Sequence, residues 1–279
     1  MFYFFVKINQ INKKTYFCNI LEEIIMKKVF RSNFNYLENQ FDDILNKFKK
    51  EGNLIGSEKR NIIKFFDLNG GTKVNVKSFK KPNFINALIY GYIRKSKARR
   101  SFEYATILQE KGIGTPQPFA YFENISLFGL RESYYFSEQQ EVNCELRKVI
   151  FDINYPEREI IFKQLAQFFY KIHNFGIEFI DNTAGNTLVK KVKDEEYYFY
   201  LVDLNRMAFH DNLTIQKRAS NLAKLTNDNI VNELISDEYS RLMKVQKNIF
   251  SKLLQSESDR FLNKFNRRKN LKKKLFFWK

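Results

Sequence analysis

The sequence predicts an α+β fold of two lobes, in which a small N-terminal antiparallel sheet with one helix precedes a larger, mainly helical C-terminal lobe. The chain has 279 residues, more than one small core needs. Alternating apolar runs flank a turn signal at Asn69-Gly70-Gly71 in the first half. Apolar residues recur at helical intervals over residues 160–172 in the second half.

The composition is that of a folded protein in a reducing compartment. Hydrophobic residues make up 44% of the chain and aromatic residues 16%, which favours a packed interior over disorder. No run reaches the roughly twenty apolar residues that span a bilayer. The two cysteines, Cys18 and Cys144, lie far apart without metal-ligand spacing. They indicate a reducing compartment and no zinc site.

The net charge of +17 points to an anionic partner. A second cause also contributes, because the abundance of Phe, Lys, Asn, Ile and Tyr is typical of an AT-rich coding sequence. We expect that bias to account for part of the excess lysine.

The chain is expected to divide into four parts: an N-terminal extension over residues 1–33, an N-lobe over 34–139, a C-lobe over 140–255 and a basic aromatic tail over 256–279. Met26-Lys-Lys-Val is a better start than Met1. Two alternatives therefore stay open for the first 25 residues, a start placed too early or a loose extension.

The N-lobe is predicted to begin with a helix, because apolar residues over 34–50 have helical spacing. Two strands follow over 61–67 and 73–79, joined by the Asn-Gly-Gly turn. Gly52 and Gly56 form a loose turn before them. The G-x-G-x-x-G pattern of a phosphate-binding loop is absent there.

A second N-lobe helix is predicted to end at Gly112 and to carry Glu103. Glu110 lies on the same helix, where we expect a solvated surface charge. Strands over 118–122 and 126–137 then lead to a hinge segment at Glu138 to Gln140.

The C-lobe is predicted to contain the periodic helix over 160–172, closed by His173. We favour a structural role for this histidine over proton transfer. Residues 213–254 are expected to form helices without recognisable caps.

The main candidate site lies between His173 and Asn205. Asp181 stands five residues before Asn186, and Asp203 ends the next apolar run. A polar turn between Val189 and Tyr197 predicts a hairpin, which would set Asn186 and Asp203 side by side. Oxygen ligands at one place suit Mg²⁺.

This spacing resembles that of protein kinases, whose catalytic loop ends in D-x-x-x-x-N and is followed by a metal-binding Asp. Phe179-Ile180 stands where protein kinases have His-Arg, and Leu204-Asn205 where they have Phe-Gly. On this interpretation, Lys77 in Val-Asn-Val-Lys would bind ATP phosphates, and Glu103 would pair with it. The alternatives are a solvated Lys77 and a chance spacing of the polar residues.

A closer resemblance is to the lipopolysaccharide kinase (Kdo/WaaP) family, over roughly residues 50–225. Four segments carry it: Lys97-Ala-Arg-Arg-Ser-Phe-Glu103, Gly112-Ile-Gly-Thr-Pro116-Gln-Pro118, the loop from Asp181 to Asn186, and Val202-Asp-Leu-Asn-Arg206. The resemblance implies a two-lobed protein-kinase-like fold, with ATP and Mg²⁺ as cofactors. It also implies phosphoryl transfer to an inner-core sugar, Kdo or heptose, of a lipid A-linked glycolipid.

The resemblance also implies a role for each candidate site residue. Asp181 would be the catalytic base, and Lys77 would bind the ATP phosphates with Glu103 as its partner. Asn186 and Asp203 would bind Mg²⁺. The hinge segment would hold the adenine.

The implied partners are an anionic glycolipid acceptor, the lipopolysaccharide inner core, and the anionic lipid surface of the inner leaflet. Arg99, Arg100 and the tail, where basic residues alternate with Leu, Phe and Trp278, would hold them. For the tail, a solvated helix end and a nucleic-acid site are alternatives. We expect no nucleic-acid partner, a monomer, and a cytoplasmic protein peripheral to the inner membrane.

Two other functions stay open. A small-molecule phosphotransferase of the aminoglycoside or choline type would share the kinase features, although a protein of charge +17 should repel cationic substrates. A non-catalytic scaffold, either a pseudokinase or a basic nucleic-acid-binding protein, is the second.

Overall fold

The computed structural model describes residues 25–57 and 61–276. Two compact units are present: the described residues up to Phe102 together with Pro118–Glu138, and Glu103–Gln117 together with the residues from Gln139 onward. The predicted α+β class is confirmed, since an antiparallel sheet fills the first unit and helices dominate the second.

The first unit is built on a six-stranded antiparallel sheet of order β1-β5-β6-β4-β3-β2. Its elements in chain order are β1 Ile25–Phe30, α1 Glu38–Lys47, β2 Asn53–Leu54, β3 Ile62–Asp67, β4 Lys73–Ser78, α2 Phe84–Leu88 with a π turn Ile89–Ile93, the part of α3 (Lys97–Glu110) up to Phe102, β5 Pro118–Ser126 and β6 Gly129–Glu138. The predicted helix over 34–50 and the strands over 61–67 and 73–79 are confirmed within a few residues.

Helix α1 covers one face of this sheet. Phe41 stacks on Phe136 at a centroid distance of 4.4 Å, and Val74 and Val76 are buried in the same apolar cluster. Because side chains alternate along a strand, Lys77 lies on the opposite face of the sheet from this cluster.

Strand β1 lies where the sequence predicted an extension. It pairs with β5, and Lys28 within it bonds to Glu38 at 2.9 Å and Asp42 at 2.6 Å. The N-terminal sheet therefore begins before residue 34. The sequence did not predict this strand, because a short strand with two lysines has little apolar signal. Residues 1–24, for which the two alternatives were stated, lie outside the described residues.

The second unit holds the end of α3 and then mostly helices. Its further elements are β7 Cys144–Glu145, α4 Leu146–Phe151, α5 Arg158–Asn174, β8 Ile177–Phe179, β9 Thr187–Lys193, β10 Glu196–Leu201, β11 Met207–Phe209, α6 Ile215–Leu222, α7 Asn229–Met243 and α8 Lys247–Phe276. Two short sheets have the strand orders β10-β9-β7 and β11-β8. Strands β8 to β11 lie between α5 and α6 in sequence, whereas β7 precedes α4 and pairs with β9. Tyr239 of α7 stacks on Phe250 of α8 at 4.6 Å.

The expectation that the C-terminal helices have no recognisable caps was wrong. Helix α6 is capped by Thr214, whose hydroxyl accepts from the Lys217 amide, and α7 by Asp228, which accepts from the amides of Ile230 and Val231. Helix α8 also runs without a break through the expected tail boundary at residue 256. None of the helices in the described ranges is long and apolar enough to cross a membrane.

Candidate active site

Lys77 occupies the middle of the six-stranded sheet. On β4 it faces Ile63 of β3 and Tyr135 of β6, and only 8% of it is exposed. Its ammonium lies 5.3 Å from the centroid of the Phe79 ring. Because the residue is almost fully enclosed, the alternative of a solvated surface lysine is wrong.

Glu103 lies on α3 and is half-buried, whereas Glu110 is exposed as expected. Phe102, Ala105 and Leu108 form an apolar stripe on this helix, and all three are buried. This stripe fixes the rotation of the helix and hence the direction of Glu103.

The segment after α3 packs against the strand that leads to Asp203. The carbonyl of Gly114 accepts from the Leu201 amide at 2.9 Å, and the Thr115 hydroxyl donates to the Leu201 carbonyl at 2.9 Å. A side chain at Gly114 would overlap the Phe199 carbonyl. The Gly-Thr pair therefore allows two backbones to approach closely, and it ties the end of α3 to β10.

The hairpin predicted between Asn186 and Asp203 is confirmed by β9 and β10, in which Thr187 faces Leu201. The Val202 amide donates to the Asn186 carbonyl at 2.9 Å, so the two residues lie at the same end of the hairpin. The Asn186 side-chain nitrogen donates to the Asp181 carbonyl at 2.9 Å. The amide oxygen is therefore the atom of Asn186 that can bind a cation.

Asp203 has a left-handed backbone with φ of 59°. This conformation is unfavourable for a residue with a side chain, and such residues cluster at functional sites. The side-chain nitrogen of Asn205 donates to Asp203 Oδ1 at 2.6 Å, and Asn205 itself is buried. The sequence predicted a carboxylate at the end of this strand. It did not predict the hydrogen bond from Asn205 that holds the carboxylate.

Asp181 follows β8, and its loop is anchored through backbone atoms. The Ile180 amide donates to the Arg206 carbonyl at 3.1 Å, and the Thr183 amide donates to the Asp181 carbonyl at 2.7 Å. The guanidinium of Arg206 also donates to Asp181 Oδ1 at 2.9 Å. The sequence placed Arg206 in a motif without revealing this ion pair.

The replacement of His-Arg by Phe179-Ile180 is accommodated by side chains from distant segments. The side-chain nitrogen of Asn221 donates to the Phe179 carbonyl at 2.7 Å, and the Lys224 ammonium donates to the Ile180 carbonyl at 3.1 Å. Burial lowers the pKa of Lys224, and the charges of Glu178 and Asp181 partly offset that effect. These contacts hold the residues just before Asp181 in place.

His173 belongs to the same anchoring network and not to the surface of the site. It is fully buried, with Nδ1 at 2.7 Å from the Tyr239 hydroxyl and Nε2 at 3.1 Å from Asn221 Oδ1. Burial lowers the pKa of His173 to about 4, and the Asn221 hydrogen bond opposes this shift. A histidine that is neutral and enclosed in this way supports the structural role.

Arg100 does not have the exposure expected of a glycolipid ligand. It is buried, and its Nε donates to the Ser96 carbonyl one helical turn earlier at 3.4 Å. Arg99 is half-buried. The sequence could not separate these two arginines, because neighbouring helical residues point about 100° apart.

Comparisons with known proteins agree on the fold. The model of the lipopolysaccharide kinase (Kdo/WaaP) family matches residues 57–245. No curated protein matches the chain significantly. Among solved structures, WaaP in complex with acyl carrier protein is similar with a TM-score of 0.56 and 17% identity, over 84% of this chain and 98% of that chain.

A second solved structure is the Rio2 kinase-ADP/Mg²⁺-phosphoaspartate complex from Chaetomium thermophilum, with a TM-score of 0.46, 13% identity, and coverage of 81% of this chain and 68% of that one. The family match spans more than half of the 279 residues. The chain therefore belongs to the lipopolysaccharide kinase (Kdo/WaaP) family, a family of phosphotransferases that act on the lipopolysaccharide core, and it has a protein-kinase-like fold.

Proposed function

We propose that this protein transfers the γ-phosphoryl group of Mg-ATP to a hydroxyl of Kdo or heptose in a lipid A-linked inner-core glycolipid. The observation that carries the proposal is the hydrogen bond from Asn186 to the Asp181 carbonyl, beside the hairpin end that bears Asp203. It supports the proposal, because the candidate base Asp181 and the candidate ligand Asn186 share one loop and Asp203 follows the strand that pairs back to this loop.

Asp181 would act as the base. Arg206 donates to its Oδ1, so Oδ2 is the atom that would orient the acceptor hydroxyl and take its proton. The backbone anchors at Ile180 and Thr183 fix the direction of this carboxylate before substrate binds.

The donor set near the hairpin end fits Mg²⁺, which prefers one or two protein oxygen ligands together with phosphates. The amide oxygen of Asn186 and the carboxylate of Asp203 would hold it. When bound, the ion would offset the charge that develops on the phosphoryl group. Lys77 would hold the ATP phosphates, and Glu103 would hold the ammonium of Lys77.

The acceptor side is proposed from charge. The net charge of +17 and the exposed basic second half of α8 favour an anionic glycolipid and the inner leaflet of the inner membrane. In that second half Phe261, Phe265 and Leu271 are exposed among the cations. Trp278 lies outside the described residues. A monomer at the cytoplasmic face completes the proposal.

The test is turnover of ATP and Mg²⁺ with a Kdo-bearing lipid A acceptor, followed by mass spectrometry of the product for the gain of one phosphate. Asp181→Asn keeps the size of the side chain and should abolish the product. Asp194→Asn is the matched control, because the Asp194 side chain is 96% exposed on the hairpin turn. Undiminished turnover by Asp181→Asn would refute the assignment of the base.

A further inference from the structure

The first unit exposes an apolar ridge on α2, the π turn after it and the tip of the β5–β6 hairpin. Its members are large apolar side chains that are 42% to 83% exposed: Phe84, Ile85, Tyr92, Ile93, Leu127 and Phe128. Soluble monomers rarely expose so many large apolar groups together unless they bind something.

The ridge is one surface because the helix and the hairpin tip are joined. The Tyr92 hydroxyl donates to the Leu127 carbonyl at 2.8 Å. A side chain at Gly91 would lie 2.7 Å from the Gly129 Cα, so the two backbones approach without side chains between them. The ridge is therefore a fixed part of this unit.

The π turn determines where the last two members of the ridge lie. The Arg94 amide bonds to the Ile89 carbonyl at 2.7 Å, five residues back. The wider turn gives Tyr92 and Ile93 a different rotation around the helix from the one an α-helix would give. Such turns are rare and frequently occur at functional sites.

Exposed cations flank the helical part of the ridge in sequence. Lys80 and Lys81 precede α2, Arg94 and Lys95 follow the π turn, and all four are exposed. From residue 68 to residue 102 the sequence contains nine Lys or Arg residues and no Asp or Glu. Lys81 has an ion pair with Glu132 at 2.8 Å, yet its side chain is 73% exposed.

The geometry points to a membrane-docking surface: the apolar ridge enters the headgroup layer of an anionic bilayer while Lys80, Lys81, Arg94 and Lys95 contact its phosphates. The exposed apolar side chains and the exposed cations next to them in sequence match the two layers of an anionic bilayer, its acyl chains and its phosphates. Aromatic groups such as Phe84 and Tyr92 favour the bilayer interface. This surface goes beyond the proposed reaction and does not depend on it.

Flotation of the full chain with phosphatidylcholine vesicles, with and without phosphatidylglycerol, tests the surface. We expect binding to the anionic vesicles that weakens with added salt. The double variant Ile85→Ser with Ile93→Ser should weaken it by at least about tenfold. Replacement of Arg94 and Lys95 by Gln should reduce the preference for phosphatidylglycerol, and the basic second half of α8 should supply the part that is left.

The matched control is Ile153→Ser with Ile249→Ser, two isoleucines of the second unit that are 71% and 47% exposed. It should bind vesicles like the unchanged protein. Equal binding by the Ile85 and Ile93 double variant, or no binding to either vesicle type, would overturn the inference.

A second readout separates this inference from the proposed function. Turnover of a soluble, lipid-free sugar acceptor should be the same in the Ile85 and Ile93 double variant and in the unchanged protein. Loss of that turnover in the variant would count against a surface that serves docking alone. Absence of turnover of the Kdo-bearing lipid A acceptor in both proteins, with vesicle binding intact, would refute the reaction and leave the docking surface standing.

Discussion

The side-chain nitrogen of Asn186 donates a hydrogen bond to the backbone carbonyl of Asp181 at 2.9 Å. One amide thereby has two possible functions: its nitrogen positions the candidate base, and its oxygen can bind a cation. Substitutions at Asn186 can separate these functions.

Asn186→Asp keeps an oxygen ligand but loses the donor to the Asp181 carbonyl, whereas Asn186→Ala loses both. We expect kcat to fall by about 10²-fold or more in Asn186→Ala, and less in Asn186→Asp with a changed dependence on Mg²⁺ concentration. Steady-state kinetics over a range of Mg²⁺ measures this. Asn263→Ala on the exposed part of α8 is the control, and equal losses in both Asn186 variants would argue against a cation ligand.

Two buried lysines on neighbouring strands give a matched comparison. Lys64 of β3 donates to the carbonyls of Phe48 at 2.8 Å and Glu51 at 2.9 Å, so its role is structural. Lys64→Met should lower the free energy of unfolding by about 2 kcal/mol, while the folded variant still phosphorylates the acceptor. Lys77→Met should stay folded and lose kcat/KM by about 10²-fold or more. Thermal unfolding and kinetics on both variants check this, and unchanged kinetics in Lys77→Met would contradict the phosphate-binding role.

Arg206 should act as a positioning residue for Asp181. Its side chain is 56% exposed, so the ion pair adds little to stability, and its loss should be seen in catalysis. We expect Arg206→Gln to lower kcat by about tenfold with KM for ATP unchanged, and Arg206→Lys to recover part of the loss. An increase in KM for ATP with constant kcat would show that Arg206 binds nucleotide instead.

His173 should make stability depend on pH. Its pKa in the folded protein is about 4, below the unfolded value of 6.5, so between these values the unfolded chain binds a proton that the folded protein does not. The free energy of unfolding should therefore fall by about 3 kcal/mol as the pH is lowered from about 6.5 to about 4. Urea unfolding at several pH values measures it.

The comparison for this prediction is His173→Gln, which should lose that part of the pH dependence. His210→Gln, at the half-buried second histidine, should keep it. Equal pH dependence in His173→Gln and the unchanged protein would show that His173 is not the responsible group.

Much of the fold could be predicted, together with the elements that carry or adjoin the candidate site residues, because the signals are local. The alternation around Lys77, the periodicity of α5 and the turn between β9 and β10 each lie within one short segment, where backbone preference and burial act together. Strand β1 was missed because its burial depends on β5, a distant strand.

Three features follow from local sequence patterns: the D-x-x-x-x-N loop, the hairpin that brings Asn186 to Asp203, and the family. The contacts that hold the loop depend on the tertiary fold: Arg206 reaches Asp181 across 25 residues, Asn221 reaches Phe179 across 42, and Lys224 reaches Ile180 across 44. Single side-chain bonds between distant residues have no period and no required spacing, so they leave no pattern in one sequence. The apolar ridge was decided in the same way, since packing against the hairpin selects which side chains of α2 face solvent.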